Sequence, residues 1–194
     1  MNSMNNIEHV QSLMKDICSP IKENIIDQFQ IAYELKQDDI HKTLGYLKNA
    51  GWIQLSYLSA VDWPDTNEIE VVYILMNWKK PVHIQLRTRI DRENPVMPSI
   101  ISIYEGAKYY EREAHEFFGV KFPGNPDYEK QLILEKWDDM PPMRKDFDPR
   151  QYSDAHFVGR EYSHDFTELN NQPSKQAKRQ QRKTRINSLD KGGK

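Results

Sequence analysis

Within the stretch 109–119, YYEREAHEFFG, the side chains Glu111, Arg112, Glu113, His115 and Glu116 fall inside six consecutive positions. On a helix, Glu111 and His115 stand one turn apart, as do Arg112 and Glu116. Such pairs can satisfy one another on a solvated face for a few tenths of a kcal/mol each. Catalysis would demand more. A zinc-protease helix carries two histidines four apart, with glutamate after the first. Here His115-Glu116 is followed by Phe117, Phe118 and Gly119, so the second histidine is missing. Glu111 and Glu113 are candidate acid–base carboxylates, but helical residues two apart do not face each other. The chain holds no serine elbow, glycine-rich phosphate loop or CxxC. His156 and His164 lie in irregular sequence and read as surface contacts. No catalytic, cofactor-binding or metal-ligating residue is therefore assigned.

A protein interface accounts for more of the pattern. Arg112 and Arg144 can each bind a carboxylate through two parallel hydrogen bonds. Tyr109, Tyr110, Phe117, Phe118, Phe122 and Phe147 accompany them, and arginine mixed with aromatics makes good buried anchors. A buried carboxylate needs donors. Glu111, Glu113 and Glu116 should accordingly find arginine, lysine or backbone N–H partners, some of them in a second chain.

The elements that must position these residues follow from hydrophobic spacing. The 194 residues suffice for one core plus tails, and 38% hydrophobic with 29% charged residues describes a soluble folded domain. Helical spacing marks 7–17, with Pro20 interrupting it. Residues 21–35 are ambiguous between helix and strand. A helix over Ile40–Lys48, capped by Asp38 or Asp39 and ended by Gly51, is expected. Three strands follow at 52–63, 68–77 and 81–91, joined by short connections that favour antiparallel neighbours. From Ile100 the period becomes helical, and 106–118 closed by Gly119 is the expected helix. The expected fold is a two-layer α+β domain, an antiparallel sheet packed by helices, over residues 1–122. Residues 123–170 read as an extended arm laid over another protein, with Tyr152, Phe157, Val158, Tyr162 and Phe166 dispersed among polar residues. An ordinary disordered tail is the alternative.

Residues 171–194 hold eight basic residues against one acid, net +7, while the remainder holds 19 basic and 28 acidic residues, net −9. This basic tail reads as a flexible solubilising segment, as a dock for an acidic surface, or as a binder of nucleic acid or anionic headgroups. It lacks aromatic interleaving, so no nucleic-acid partner is expected. Cys18 is the only cysteine, which excludes an internal disulfide and a four-thiolate iron–sulfur site. No apolar run approaches a membrane span, and the first residues lack the order of a secretory leader.

The run YEREAHEFFGVKFPGNPDYEKQLILEKWDDMPPMRKDF resembles the signature of the 30 kDa subunit of respiratory complex I, the NADH–quinone oxidoreductase. That pattern joins E-R-E, an acid and F-G, then a G-x-P turn, an apolar stretch with Trp, and P-x-R-K-D-[FY]. The matches are Glu111, Arg112, Glu113, Phe118, Gly119, Gly124, Pro126, Trp137, Pro142, Arg144, Lys145, Asp146 and Phe147. Two departures stand out: Glu116 where aspartate is common, and Asn125 where histidine is usual. They point toward a prokaryotic, archaeal-type relative, such as the F420H2 dehydrogenases or membrane-bound hydrogenases. The resemblance implies a cofactor-free structural subunit in the peripheral arm, on the cytoplasmic side of the membrane. Its partners would be the large quinone-cavity (49 kDa-type) subunit and a cluster-bearing small subunit holding the iron–sulfur clusters. Electrons from NADH, reduced F420 or ferredoxin would pass to a quinone-type acceptor, coupled to ion translocation. A subunit of an energy-converting hydrogenase and a standalone adaptor are the alternatives. The implied interface residues are Tyr110, Glu111, Arg112, Glu113, Glu116, Phe118, Gly119, Trp137, Arg144, Lys145, Asp146 and Phe147.

Overall fold

The computed structural model describes residues 3–157. Helix α1 (Ser3–Ile17) precedes a hairpin of β1 (Lys22–Asp27) and β2 (Gln30–Glu34). Helix α2 (Gln37–Asn49) leads to β3 (Gln54–Trp63), a short 3-10 turn, β4 (Glu68–Met76) and β5 (His83–Asp91). Helix α3 (Ala107–Phe118) and α4 (Pro149–His156) complete the described elements. The five strands run in the order β1-β2-β5-β4-β3.

The expected α+β layers are present, with one refinement. The meander β3–β4–β5 is antiparallel, but β2 joins β5 in parallel, so the sheet is mixed. The ambiguous 21–35 segment resolves into the hairpin because Asp27 Oδ1 accepts the Phe29 N–H at 2.6 Å and turns the chain. Tertiary pairing with β5 then decides the alternating run in favour of a strand. Helix α2 starts at Gln37, not Ile40, and Lys36 at its N-cap makes no side-chain cap bond. Asp38 and Asp39 lie in the first turn instead, where their charge suits the helix dipole.

Alternation builds the core. Leu58 and Ala60 of β3, Ile69, Val71, Tyr73 and Leu75 of β4, and Ile84, Leu86 and Ile90 of β5 are buried on one sheet face. Against them lie Ile40, Leu44 and Leu47 of α2 and Ala107, Ala114 and Phe118 of α3. Helix α1 adds Val10, Met14 and Ile17. Each large aliphatic side chain so buried contributes roughly 1.5–3 kcal/mol. Trp52 is fully buried, and its Nε1 donates to the Val82 carbonyl at 3.1 Å. The opposite sheet face carries His83, Gln85, Arg87 and Arg89, half-buried in alternation with the core residues of β5.

Residues up to Pro149 form one compact unit, and a second begins at Arg150. In the second, Tyr152 and His156 stack one turn apart, and His156 Nδ1 donates to the Tyr152 carbonyl. The expected arm residues Val158, Tyr162, His164 and Phe166, and the basic segment 171–194, lie outside the described residues.

Candidate functional site

Helix α3 does not use its charges on itself. Neither the Glu111–His115 pair nor the Arg112–Glu116 pair forms a bond; each residue reaches a different part of the chain. The cause is loop geometry: residues 92–104 and 120–147 pass over α3 and present backbone groups that outcompete neighbouring side chains.

Glu111 is fully buried, and its carboxylate accepts three hydrogen bonds. Ser99 Oγ donates at 2.8 Å, the Ile100 N–H at 2.8 Å and Asn125 Nδ2 at 2.9 Å. Burial pushes its carboxyl above the usual range, opposed by those three donors. Asn125, which departs from the usual histidine, thus serves as an amide donor joining the turn after Phe122 to α3. His115 instead donates from Nδ1 to the Val120 carbonyl at 2.9 Å and packs edge-on against Tyr128.

Arg112 and Glu116 hold the segment 130–134. Arg112 donates from Nε to the Lys130 carbonyl at 3.1 Å and from its terminal nitrogen to the Gln131 carbonyl at 2.6 Å. Glu116 accepts the N–H groups of Leu132, Ile133 at 2.8 Å and Leu134 at 2.6 Å. Three successive N–H groups converging on one carboxylate form an anion-binding nest. Burial alone would raise the Glu116 carboxyl, but these donors and the Arg112 charge outweigh it and hold it below its ordinary value.

The P-x-R-K-D-F segment is fixed in the same manner. Arg144 Nε donates to the Phe118 carbonyl at 3.0 Å, capping the end of α3. Gly119 adopts φ 80°, and a Cβ there would stand 3.1 Å from the Pro141 ring and 3.2 Å from the Arg144 guanidinium. Glycine is therefore required both by backbone and by contact. The Lys145 N–H donates to Asp62 Oδ2 at 2.8 Å. Arg92 bridges Asp62, through bonds of 2.7 and 3.0 Å, and Asp146 at 2.7 Å. Burial would raise the Asp62 carboxyl, but Arg92, the Lys145 N–H and the Arg144 charge hold it below the usual carboxylate range. Trp137 packs on Phe147 with ring centroids 5.4 Å apart.

The sequence-expected residues are therefore brought together, and most serve this chain. Tyr110 donates from its hydroxyl to the Ser56 carbonyl, and Phe118 belongs to the core. Glu113 is half-buried. Sequence reasoning missed Asp62, Arg92 and Ser99. A signal existed for Asp62: alternation in β3 puts it in phase with Leu58 and Ala60, so an acid enters the buried face and needs a cation.

This arrangement leaves a strap, residues 130–147, tied down near both ends, whose exposed side chains mix charged groups with several apolar ones. Ile133 is 66% and Met143 57% exposed, and Leu132 and Met140 are also exposed. Tyr109 of α3 joins them in exposure. Among the described residues no group of three or more His, Cys, Asp or Glu is placed to hold a metal, and no helix is long and apolar enough to cross a membrane.

Residues 33–153 match the family model "Respiratory-chain NADH dehydrogenase, 30 Kd subunit". The chain belongs to this family. It is an accessory member of the complex-I-like, energy-converting respiratory oxidoreductase class. It is 34% identical over 146 residues to a subunit of the F420H2 dehydrogenase of Methanosarcina mazei, covering 72% of this chain and 89% of that one. It is 38% identical over 97 residues to a subunit of the NADH-quinone oxidoreductase of Moorella thermoacetica, covering 50% and 65%. Against the mitochondrial 30.4 kDa subunit of the Neurospora crassa NADH-ubiquinone oxidoreductase it is 37% identical, and it spans 40% of that protein. Among solved structures, a chain of the membrane-bound sulfane sulfur reductase, an archaeal respiratory membrane complex, superposes with TM-score 0.75 at 30% identity. That match covers 83% of this chain and 96% of the other. A trypsin-resistant Nqo5 fragment, at 23% identity and TM-score 0.53, shares the fold.

Proposed function

We propose that this chain is a scaffold in the peripheral part of an energy-converting membrane complex of the hydrogenase-related, archaeal type. The reading is carried by the strap: polar contacts from α3, Asp62 and Arg92 hold 130–147 in place without forming any site for a reacting group. Those contacts leave the side chains of Leu132, Ile133, Met140 and Met143 exposed among the strap's charged residues. The preference for the hydrogenase-related branch over an NADH-fed quinone reductase rests on coverage. The archaeal relatives match over nearly their whole length, whereas the NADH-linked relatives match over smaller shares.

In this role the chain joins a large subunit of the quinone-cavity (49 kDa) type to a small subunit bearing the terminal iron–sulfur cluster. The clusters belong to those partners. The chain sits peripherally on the cytoplasmic side of the membrane, held through them. The strap lies within the partner-wrapping arm, residues 123–170, of which the structure describes 123–157. The signature residues Tyr110, Glu111, Arg112, Glu113, Glu116, Phe118, Gly119, Trp137, Arg144, Lys145, Asp146 and Phe147 shape the contact, most of them by fixing the strap. Leu132, Ile133, Met140 and Met143 supply the apolar contact itself, with Glu113 and Tyr109 beside it. Electron transfer depends on distance, so a scaffold of this kind affects turnover by keeping the clusters in register.

Tagging the protein in its native cells and purifying it in mild detergent tests the reading. Recovery of a cluster-bearing small subunit, its large partner and iron supports it, and the input subunit recovered beside them names the electron donor. An iron-free monomer under gentle conditions overturns it.

A further inference from the structure

The two edges of the sheet are finished differently. Along β3 the chain covers its own edge. Helix α3 packs against the strand, the Tyr110 hydroxyl donates to the Ser56 carbonyl at 3.2 Å, and Asp62 accepts the Lys145 N–H of the strap. β1 forms the other edge and pairs only with β2. All six of its residues are exposed. An edge strand turns the N–H and C=O groups of alternate residues away from its one neighbour. Among the described residues no main-chain group bonds the outer side of Lys22–Asp27. The strand precedes the span 33–153 shared with the family model, so that match does not account for it.

Register shows what this edge lacks. Leu75 pairs with Ile84, Ile84 with Ile31 and Ile31 with Ile25, so these four form one apolar row across the core face. Leu75, Ile84 and Ile31 are fully buried, whereas Ile25 is 51% exposed. The next row along, Tyr73–Leu86–Tyr33–Glu23, ends in another way, because Gln11 of α1 donates to the Glu23 carboxylate at 2.5 Å. Lys22 and Asn24 alternate with these residues and belong to the open face. At Ile25 the core runs to the edge of the sheet and stops without cover.

We propose that β1 receives an extended segment of a partner subunit as a sixth strand of the sheet. The outer main-chain groups select an extended segment over a helix, because only another strand matches their spacing. The row selects its side chains: an apolar residue opposite Ile25, and polar residues on the open face beside Lys22 and Asn24. A second copy of this chain does not supply that pattern. In a two-fold antiparallel pairing of β1 with itself, Ile25 meets an apolar residue in two registers only. Ile25 opposite Ile25 sets Glu23 against Asp27, two acids. Ile25 opposite Ile26 fails because the bulge between Ile25 and Asp27 takes Ile26 out of the ladder. The occupant is therefore a different chain. This goes beyond the scaffold reading and rests on it only in needing an assembled complex.

The test follows hydrogen exchange of the amides of β1 in the isolated chain and in the complex purified through a tag in mild detergent. In the complex the outward N–H groups of β1 should exchange roughly tenfold or more slowly than in the isolated chain, because a ladder hydrogen bond replaces water. Unchanged exchange overturns the proposal. So does the same slowing in the isolated chain at raised concentration, which marks a second copy as the occupant. Ile25→Lys provides the second measurement, with Ile25→Val as its control. Lysine at the edge should reduce recovery of one partner by roughly tenfold or more, while valine retains it. Both isolated variants should keep the wild-type melting temperature, since Ile25 is half-exposed. Undiminished recovery with lysine overturns the site, and so does a loss of partner that follows a lowered melting temperature. Failure of wild type to recover any complex is the failure of the scaffold reading instead.

Discussion

Arg112 and Glu116, one turn apart on α3, make no bond to each other and grip opposite polarities of a single backbone segment. Arg112 binds the carbonyls of Lys130 and Gln131, and Glu116 binds the N–H groups of Leu132, Ile133 and Leu134. Five backbone groups that no regular element satisfies are thereby bonded by two side chains. A loop without secondary structure acquires a fixed path. Its apolar residues can point outward because its polar backbone is already satisfied underneath.

Arg112→Ala and Glu116→Gln should therefore loosen the strap while leaving the sheet intact. Hydrogen bonds to charged groups are worth about 1.5–3 kcal/mol when well formed, and partial exposure here places the effect at or below the lower end. Trypsin digestion reads it directly, because Lys130 and Lys136 lie in the strap. Both variants should be cut there several-fold faster than wild type with an unchanged thermal midpoint for the core. Equal cleavage rates would mean that the segment is held by something else.

Acid should release the same contact. The Glu116 carboxyl is held below its ordinary value, so its stabilising contribution is present above pH 4.5 and is lost as pH falls through the lower folded-state value. Asp62 behaves alike below its ordinary value of 3.8. Glu111 has the opposite sign. Its carboxyl is raised by burial, so its contribution is complete below 4.5 and declines as pH rises through the folded-state value. Melting temperatures measured between about pH 3 and 6 should show an acid-side decline that flattens in Glu116→Gln. In Glu111→Gln the acid-side decline should steepen, because the opposing contribution is gone.

Asp62→Ala should be the most damaging substitution near the signature. The Asp62 side chain is fully buried, and the Arg92 side chain is 11% exposed. Removing Asp62 strips Arg92 of two of its three bonds and the Lys145 N–H of its acceptor. Breaking a buried pair in this way costs about 3–5 kcal/mol, and chemical denaturation of the isolated chain measures it. Asp146→Ala should cost much less, because the Asp146 side chain is 49% exposed and the Asp62–Arg92 pair survives.

How much of this was legible in the sequence follows from range. Helix α3 and its closing Gly119 were readable because spacing and capping act within a few residues. The β3–β4–β5 meander was readable for the same reason, with short connections fixing neighbours. The parallel β2–β5 pairing was not, since it joins residues 53 positions apart, as Gln30 to His83. In the site, the charged residues of α3 were identified but their partners were not. Local spacing suggested i,i+4 ion pairs, and backbone groups 11–19 residues away displaced them. The Asp62–Arg92–Asp146 bridge connects three loops or strand ends whose proximity is a property of the whole sheet.

The outer side of the strap leads to a prediction about assembly that separates folding from docking. Ile133 and Met143 are mostly exposed, and neither side chain belongs to the core cluster. Replacing both with aspartate should leave the isolated domain's melting temperature close to that of wild type, as surface changes usually do. At an interface the same change buries two carboxylates against apolar surface with no donors, which costs several kcal/mol. Co-purification of partner subunits with Ile133→Asp/Met143→Asp should therefore collapse while circular dichroism and thermal unfolding of the isolated chain remain normal. The contrast with Asp62→Ala is diagnostic: that variant loses partners by losing its fold, whereas this one loses them with its fold intact. If the double variant assembled normally, these two side chains would face solvent in the complex, and the signature would serve only the stability of this chain.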